Sequence, residues 1–181
     1  METYRLYQDH GLYFLTFSII DWLPVFIAEE PCLIITESLN FCHREKHLRT
    51  NAFVIMPTHM HWIGFDAEFD TKRLGATITA FRKFTGQRLS DYCDQHMPRA
   101  FSETLRHTGR SDRERQFWQQ SRHPEAISKR EFWQTKIDYL HDNPRRKGLI
   151  LDPLSWRFSS AAFWLQEPRG QSDVILSAVE W

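Results

Sequence analysis

The sequence lacks the features that mark secreted and membrane proteins. Its three cysteines, Cys32, Cys42 and Cys93, form no CxxC pair, and an odd, scattered set favours reduced, buried thiols in the cytosol. The longest apolar run, Leu12–Ile20, is about half as long as a membrane helix. The N-terminal segment is polar and charged, unlike a signal peptide. We therefore expect a cytoplasmic protein without a membrane partner.

The chain also lacks an excess of charge of either sign. Lysine plus arginine and aspartate plus glutamate each number 23, so the formal net charge is zero. Bulk electrostatics therefore do not indicate a nucleic-acid binder. The distribution is uneven, however, because the segment from Lys72 to Arg88 has five basic residues and no acidic one. That pattern fits a solvated helix face as well as a nucleic-acid contact.

Glycine-rich loops and common hydrolase motifs are absent as well. The sequence contains no Walker loop, GxGxxG, GxSxG or HExxH motif, which argues against several large classes of nucleotide-binding and hydrolytic enzymes. Hydrophobic residues make up 41% and aromatic residues 14%, a composition typical of a folded domain. A length of 181 residues fits a single domain at 1–181, with a C-terminal tail from about residue 155.

Hydrophobic periodicity predicts an alternation of strands and helices. Strands are expected at Leu12–Ile20, Ala52–Met56, His59–Phe65 and Gln116–Gln120. Helices are expected from Pro31 to about Leu48, from Thr71 to about His96 and from Ser128 to about His141, with a loop at Met97–Arg115. The order β–α–β–β–α–β–α predicts an α+β fold, a ferredoxin-like (RRM-like) antiparallel sheet with helices packed on it.

Prolines and capping residues predict where some of these elements begin and end. Ser128 is expected to cap the last helix, with Glu131 completing a capping box. Pro144 is expected to end that helix, because the residue before a proline avoids helical backbone angles. Pro57 disfavours the turns of tight hairpins, so the second and third strands are expected to be joined by a wider or bulged connection.

His59 and His61 are the first candidates for chemistry. Residues two apart on a strand face the same way, with Cα atoms roughly 6.5–7 Å apart. Two imidazoles at that separation can converge on one cation, while Met60 points into the opposite layer. Nine histidines in the chain make a chance His-x-His pair common. An ordinary pair of strand histidines therefore stays open as the alternative.

Tyr139 is the second candidate. Trp133, Ile137 and Leu140 form the apolar stripe of its helix, and Tyr139 falls beside that stripe. Asn143 is four residues further on, so both side chains project from one side of the helix. A phenol and an amide oxygen would be presented together there. A tyrosine at the boundary of the core is the alternative, and it is common for this residue type.

Four segments that occur in order distinguish between these alternatives. They are VIMPTHMHWIG, then FWQQSRHPEAIS, then YLHDNPRRKGLI and LSWRFSSAAFW. The series resembles the REP-associated tyrosine transposases of the HUH single-strand nuclease superfamily, from about Tyr13 to Trp164. The combination of MP-x-HxH with Y-x-H-x-NP-x-R-x-GL is specific, although neither half is specific alone. Thr58 stands where family members often have asparagine, which bears on the geometry of the turn.

The resemblance implies a metal-dependent, single-stranded DNA endonuclease or transposase. His59, His61 and Asn143 match the ligands of a divalent cation, Mg²⁺ or Mn²⁺, although such ligands also suit Zn²⁺. Tyr139 matches the nucleophile that forms a 5′-phosphotyrosine. The implied partner is single-stranded DNA beside a hairpin, the repetitive extragenic palindrome (REP) of bacterial genomes. We expect a monomer rather than a dimer, located in the bacterial cytoplasm with the nucleoid.

Single-strand binding requires a basic groove and stacking platforms. The candidate DNA contacts lie on the basic helix, one turn before Tyr139, and directly after the catalytic helix: Arg82, Lys83, Lys136, Arg145, Arg146 and Lys147. Lys136 is also a candidate for lowering the pKa of the Tyr139 phenol. Two alternatives remain. One is a replication initiator or relaxase of the same superfamily, against which the small size argues, and the other is a hairpin-binding module that does not cut.

Overall fold

The computed structural model describes residues 11–106, 115–120 and 124–180. Its strands are β1 (Leu12–Ser18), β2 (Leu48–Met56), β3 (His59–Asp66) and β4 (Glu125–Ile127), and its helices are α1 (Glu29–Glu45), α2 (Thr71–His96), α3 (Arg99–Arg106), α4 (Arg130–Arg146) and α5 (Ala161–Leu165). The strands form one antiparallel sheet in the order β2-β3-β1-β4. The predicted α+β, ferredoxin-like arrangement is confirmed. Among the described residues, no helix is long and apolar enough to span a membrane.

The central strand β3 contributes to two hydrophobic cores, because side chains alternate across a sheet. On one face, Met60 and Trp62 pack with α1 and α2. On the other face, Ile63 and Phe65 pack with Ile137 and other apolar residues of α4. The prediction that this strand is covered on both sides is therefore confirmed. Helices α1 and α2 cover one face of the sheet, and α4 covers the other. The three cysteines are free and buried, as predicted.

The hairpin between β2 and β3 is tighter than predicted. The strands pair up to their last residues, so that Pro57 and Thr58 alone form the connection, and the prediction of a wider one is wrong. Neither residue has a positive φ. The turn is instead held from outside, since the N–H groups of Phe26 and Ile19 donate to the carbonyls of Pro57 and Thr58, each at 3.0 Å.

Two predictions about the chain after α2 are wrong. Arg99–Arg106 forms α3 rather than a loop, because Leu105 is fully buried in the core under α1 and α2. Gln116–Gln120 is not a strand, since only Trp118 forms an isolated bridge, to Ile19. Its aromatic side chains pack into the core from an irregular segment, and the fourth strand is the later β4. Residues 107–114 of the predicted loop lie outside the described residues.

The start of α4 differs from the prediction, whereas that of α1 is close to it. The N-cap of α4 is Lys129 rather than Ser128, and no side chain caps the helix, so the predicted capping box with Glu131 does not form. Glu131 still places an acidic side chain in the first turn, where its negative charge interacts favourably with the helix dipole. In α1, Pro31 lies in the first turn, two residues after the helix begins.

The end of α4 also differs, because the helix continues through Pro144 to Arg146. A proline removes one backbone donor, and in the last turn of a helix that loss concerns a single hydrogen bond. Gly148 then turns the chain with a φ of 71°, and its N–H donates to the carbonyl of Arg145 at 2.9 Å. The helix therefore extends five residues beyond its predicted end at about His141.

The chain after α4 covers the free edge of β2. The N–H of Ile55 donates to the carbonyl of Phe158, and the N–H of Ser160 to that of Phe53, both at 2.9 Å. Trp156 and Phe158 pack against the two cores. An edge strand with unpaired backbone groups is a template for aggregation, and these contacts satisfy part of that edge.

Candidate active site at the histidine hairpin

His59 and His61 lie on the same face of β3, directly after the tight turn. Their ring centroids are 4.8 Å apart, with the ring planes at 74°. Met60 between them packs into the opposite core. The alternation expected from sequence therefore brings two imidazoles close enough to reach one small ion.

Each of these imidazoles has one nitrogen held by a threonine. Nδ1 of His61 is hydrogen-bonded to the hydroxyl of Thr16 on β1, at 2.8 Å, and Nδ1 of His59 to the hydroxyl of Thr58 at 3.0 Å. Nε2 of His61 is buried and has no hydrogen-bond partner in the described part of the chain. Ring nitrogens of metal-bound histidines are oriented in this way by a second hydrogen bond. A buried, unpaired Nε2 fits a metal ligand.

Both histidines are held in the neutral form that binds metals. Burial, and then the charge of Lys147, lower the pKa of His59 to about 4. Burial, and then the neighbouring His59 and Lys136, lower the pKa of His61 to about 3. A neutral imidazole is the form that coordinates a cation. At neutral pH neither imidazole therefore has to lose a proton before it binds a metal cation.

Tyr139 of α4 meets the histidines over the sheet. Its ring centroid lies 5.4 Å from that of His61, with the planes at 63°. Phe14 of β1 stacks on His61 at 5.3 Å and meets Tyr139 edge-on at 6.3 Å. Tyr139 is 39% exposed, although its ring packs beside the histidine. The helix and the strand therefore present a phenol and two imidazoles at one place.

Three of the predicted basic residues surround this place. The guanidinium of Arg146 lies over the ring of Tyr139, at 5.2 Å from its centroid. The charge of Lys147 acts on His59. Lys136 lies over Phe14 at 4.6 Å and forms an ion pair with Glu125 at 2.7 Å. The site is therefore flanked by positive charge that suits a phosphate.

Asn143 lies one helical turn after Tyr139 and is 3% exposed. Residues four apart share one side of a helix, and this side of α4 holds Tyr139. The described residues contain no group of three or more His, Cys, Asp or Glu side chains arranged for a metal. A site here would therefore consist of the two imidazoles and an uncharged oxygen such as the amide of Asn143, which stays a prediction.

The remaining predicted DNA contacts are not part of this cluster. Arg145 is exposed and pairs with Asp142 at 2.6 Å. Arg82 donates to the carbonyl of Gln119, and with Lys83 it belongs to α2, which packs on the opposite face of the sheet. A groove of about 680 Å³ between α1 and α2 is also on that face, and its lining includes none of the candidate site residues.

Thr16 and Trp22 are site residues that sequence reasoning missed. Thr16 is the one polar residue in the middle of the apolar strand β1, and that isolated hydroxyl was the available signal. Trp22 packs edge-on to His59 at 6.0 Å. Nothing in its sequence context indicates that position, because the contact joins separate parts of the chain.

Comparison with solved structures finds a structure of a REP-associated tyrosine transposase bound to a REP hairpin. The two chains are 17% identical with a TM-score of 0.63, and the match covers 100% of this chain and 95% of that chain. This chain therefore has the fold of that transposase, as the sequence resemblance predicted. No model of a known protein family and no curated protein matches the sequence. The likeness concerns the fold alone.

Proposed function

We propose that this chain is a metal-dependent, single-stranded DNA endonuclease and transposase. In this proposal it cleaves and rejoins DNA next to REP-type hairpins through a 5′-phosphotyrosine intermediate. The observation that carries the proposal is the contact between Tyr139 and His61, whose rings lie 5.4 Å apart. The buried Nε2 of that histidine has no partner in the described residues. A nucleophile thus stands beside a candidate ligand.

The proposed reaction is a transesterification at phosphorus. The phenol oxygen of Tyr139 forms a bond to the scissile phosphorus, and the bond from phosphorus to the 3′-oxygen breaks. The phenol proton is balanced by the proton that the 3′-oxygen gains, so the products are a 5′-phosphotyrosine and a free 3′-hydroxyl. Attack by a 3′-hydroxyl on the same phosphorus reverses the step and rejoins DNA. No external energy source is needed, since one phosphodiester replaces another.

His59, His61 and Asn143 are the residues that would hold a divalent cation, for which we propose Mg²⁺ or Mn²⁺. Such a cation, when bound, stabilises the charge that develops on the non-bridging oxygens of the scissile phosphate. The two imidazoles support this role because they are neutral and each has its Nδ1 engaged by a threonine hydroxyl. Three protein ligands leave coordination positions for water and for the phosphate.

Arg146 and Lys147 are the residues proposed to hold the DNA backbone at the site. Arg146 lies over the ring of the nucleophile, and Lys147 is close enough to affect the pKa of His59. Phosphate contacts of this kind position the strand without reading its sequence. The recognition of a hairpin is supported by the similar transposase, which is bound to a REP hairpin.

The test is the detection of a covalent protein–DNA adduct. A hairpin oligonucleotide with a single-stranded flank is labelled at its 5′ or its 3′ end and incubated with Mg²⁺ or with EDTA. We expect the 3′ label to shift to the protein band on a denaturing gel, and the 5′ label to appear in a shortened oligonucleotide. A 5′ label on the protein would mean the opposite polarity and would contradict the proposed intermediate.

Tyr139→Phe and Tyr92→Phe form a matched pair for this test. Tyr139→Phe should abolish the adduct and leave binding nearly intact, since only the phenol oxygen is removed. Its free energy of unfolding should change by less than about 1 kcal/mol. Tyr92 lies on α2, next to His96, so Tyr92→Phe should cleave normally. Hairpin binding by wild type without any adduct would instead establish a binding module that does not cut.

A further inference from the structure

Trp22 is a large aromatic side chain that the fold leaves in solvent beside the candidate site. It is 53% exposed, and its indole meets the ring of His59 edge-on at 6.0 Å. An isolated exposed aromatic residue needs no explanation on most surfaces. This one lies directly at a pair of candidate metal ligands, so its exposure concerns the site.

The backbone that carries Trp22 is in an unfavourable conformation. Asp21 has φ 48° and ψ 24°, and Trp22 follows with φ 54°. Two consecutive non-glycine residues in the left-handed region are costly, above all for a bulky side chain. Such strain persists only where the surrounding structure imposes it, and it concentrates at functional sites.

The strained turn is tied at both ends to the turn of the β2–β3 hairpin. The N–H of Ile19 donates to the carbonyl of Thr58, and the N–H of Phe26 donates to that of Pro57, both at 3.0 Å. Ile19 and Phe26 are also buried in the core. The loop between these two anchors is therefore fixed relative to His59, the residue that follows the hairpin turn, and it holds Trp22 outward at that position.

We infer that Trp22 is a stacking platform for a nucleobase of the single strand that passes the histidine pair. This inference rests on the proposed function and adds a subsite to it. Every base has a π face, so an exposed indole holds a single strand without selecting its sequence. The neighbouring carboxylate of Asp21 is exposed and repels the negative charge of a phosphate. A base is therefore the part of the strand that can contact the indole ring. The backbone phosphates would then run along Arg146 and Lys147.

The test compares a normal single strand with one that has no bases. Binding is measured by fluorescence anisotropy, with about 12 nucleotides of labelled oligothymidine and with an abasic deoxyribose-phosphate strand of the same length. All proteins contain Tyr139→Phe, so cleavage does not interfere. We expect Trp22→Ala to weaken binding of oligothymidine by about 5- to 100-fold, the range typical of a lost base-stacking ring. It should leave binding of the abasic strand unchanged, and Trp22→Phe should restore most of the affinity.

Two further variants separate stacking from a structural role. Trp22→Gly removes the ring, and glycine adopts the positive φ at this position without steric cost. Its thermal unfolding midpoint should therefore not fall below that of Trp22→Ala. It should bind oligothymidine as weakly as Trp22→Ala does. If Trp22 had a structural role, Trp22→Ala and Trp22→Gly would both lose much of the free energy of unfolding. Phe84 is 57% exposed and lies on α2, on the opposite face of the sheet, so Phe84→Ala should bind both strands like the parent.

The outcomes separate the subsite from the proposed function. Equal loss on both strands, or no loss on oligothymidine, would overturn the stacking platform while leaving the single-strand endonuclease in place. Failure of the parent protein to bind either strand would overturn the proposed function and the subsite together. A loss confined to oligothymidine, with rescue by Trp22→Phe, would establish the platform whether or not the protein cuts.

Discussion

The ring of Tyr139 on α4 lies 5.4 Å from the ring of His61 on the central strand β3. Phe14 of the neighbouring strand β1 contacts both rings, so three separate segments meet at one point. The apolar residues directly beside this contact, Ile137 and Leu140, belong to the core between α4 and the sheet. The position of the phenol relative to the imidazoles is therefore fixed by the packing of the helix.

The first prediction concerns Asn143, because it tests whether helix and strand share one metal site. Asn143→Ala should weaken binding of Mn²⁺ by about 10- to 100-fold, the loss typical of a disturbed metal site. Asn143→Asp keeps an oxygen ligand and should bind the ion at least as well as the wild type. Calorimetric metal titration measures both. Equal affinity in the wild type and a folded Asn143→Ala would leave only His59 and His61 as ligands.

The second prediction concerns Thr16, whose hydroxyl is hydrogen-bonded to Nδ1 of His61 at 2.8 Å. Thr16→Val keeps the shape of the side chain and removes that bond, so the imidazole loses its fixed orientation. We expect Mn²⁺ affinity to fall by about 10- to 100-fold, with Thr16→Ser restoring it. Thr79→Val, at an exposed threonine of α2, is the control. If Thr16→Val titrates like that control, the hydroxyl does not orient the histidine.

The third prediction ranks the basic residues at the end of α4. Arg146→Ala and Lys147→Ala should each reduce the salt slope of single-strand binding by roughly 0.7, the value for one lost phosphate contact. Arg145→Ala should have a smaller effect, because its guanidinium already pairs with Asp142. Lys83→Ala, on the other face of the sheet, serves as the charge-matched control. Binding isotherms at several salt concentrations decide this, and a slope as strongly reduced by Lys83→Ala would place the DNA elsewhere.

The fourth prediction concerns stability and uses Asp66, at the end of β3. This carboxylate is 1% exposed, and it accepts hydrogen bonds from Arg73 at 2.6 and 2.7 Å and from two backbone N–H groups. Burial by itself raises the pKa of Asp66, but these hydrogen bonds outweigh it, and the pKa lies below its usual value. Asp66→Ala removes the hydrogen bonds that these donors make to a charged acceptor and should cost about 1–3 kcal/mol at neutral pH.

The sign of the pH dependence follows from that lowered pKa. A group with a depressed folded-state pKa stabilises the protein above its unfolded pKa, near 4, and this contribution disappears as the pH falls through the folded value. The gap in unfolding free energy between the wild type and Asp66→Ala should therefore narrow below about pH 4. Urea unfolding at several pH values measures the gap. A gap that is constant down to pH 2 would show that the ionised carboxylate of Asp66 contributes nothing.

The local geometry of the site was predictable from the sequence. Alternation along a strand is a property of the extended backbone alone, so His-Met-His had to present two imidazoles on one face and Met60 on the other. The 3.6-residue period likewise gave the correct span of α2 from Thr71 to His96 and placed Tyr139 and Asn143 on one side of α4. The order of these elements was sufficient to predict the ferredoxin-like sheet.

Boundaries that depend on competition between segments were not predictable. The pattern of Gln116–Gln120 is that of a strand, yet its aromatic rings fill the core and β1 pairs instead with Glu125–Ile127. Pro144 is a helix breaker by local rules, but one missing donor in a last turn is tolerated when the helix is packed on a sheet. In both places tertiary contacts outweighed local preference.

The sequence by itself determined which of the candidate residues share a face, because that relation depends on the regular geometry of one strand or one helix. Only the tertiary structure decided that Tyr139 meets His61, that the hydroxyl of Thr16 is hydrogen-bonded to that histidine, and that Trp22 lies beside His59. Each of these contacts joins residues far apart in the chain. Their proximity follows from the burial of the two apolar faces of a single sheet. The free energy of that burial is distributed over many residues, so no single position in the sequence indicates these contacts.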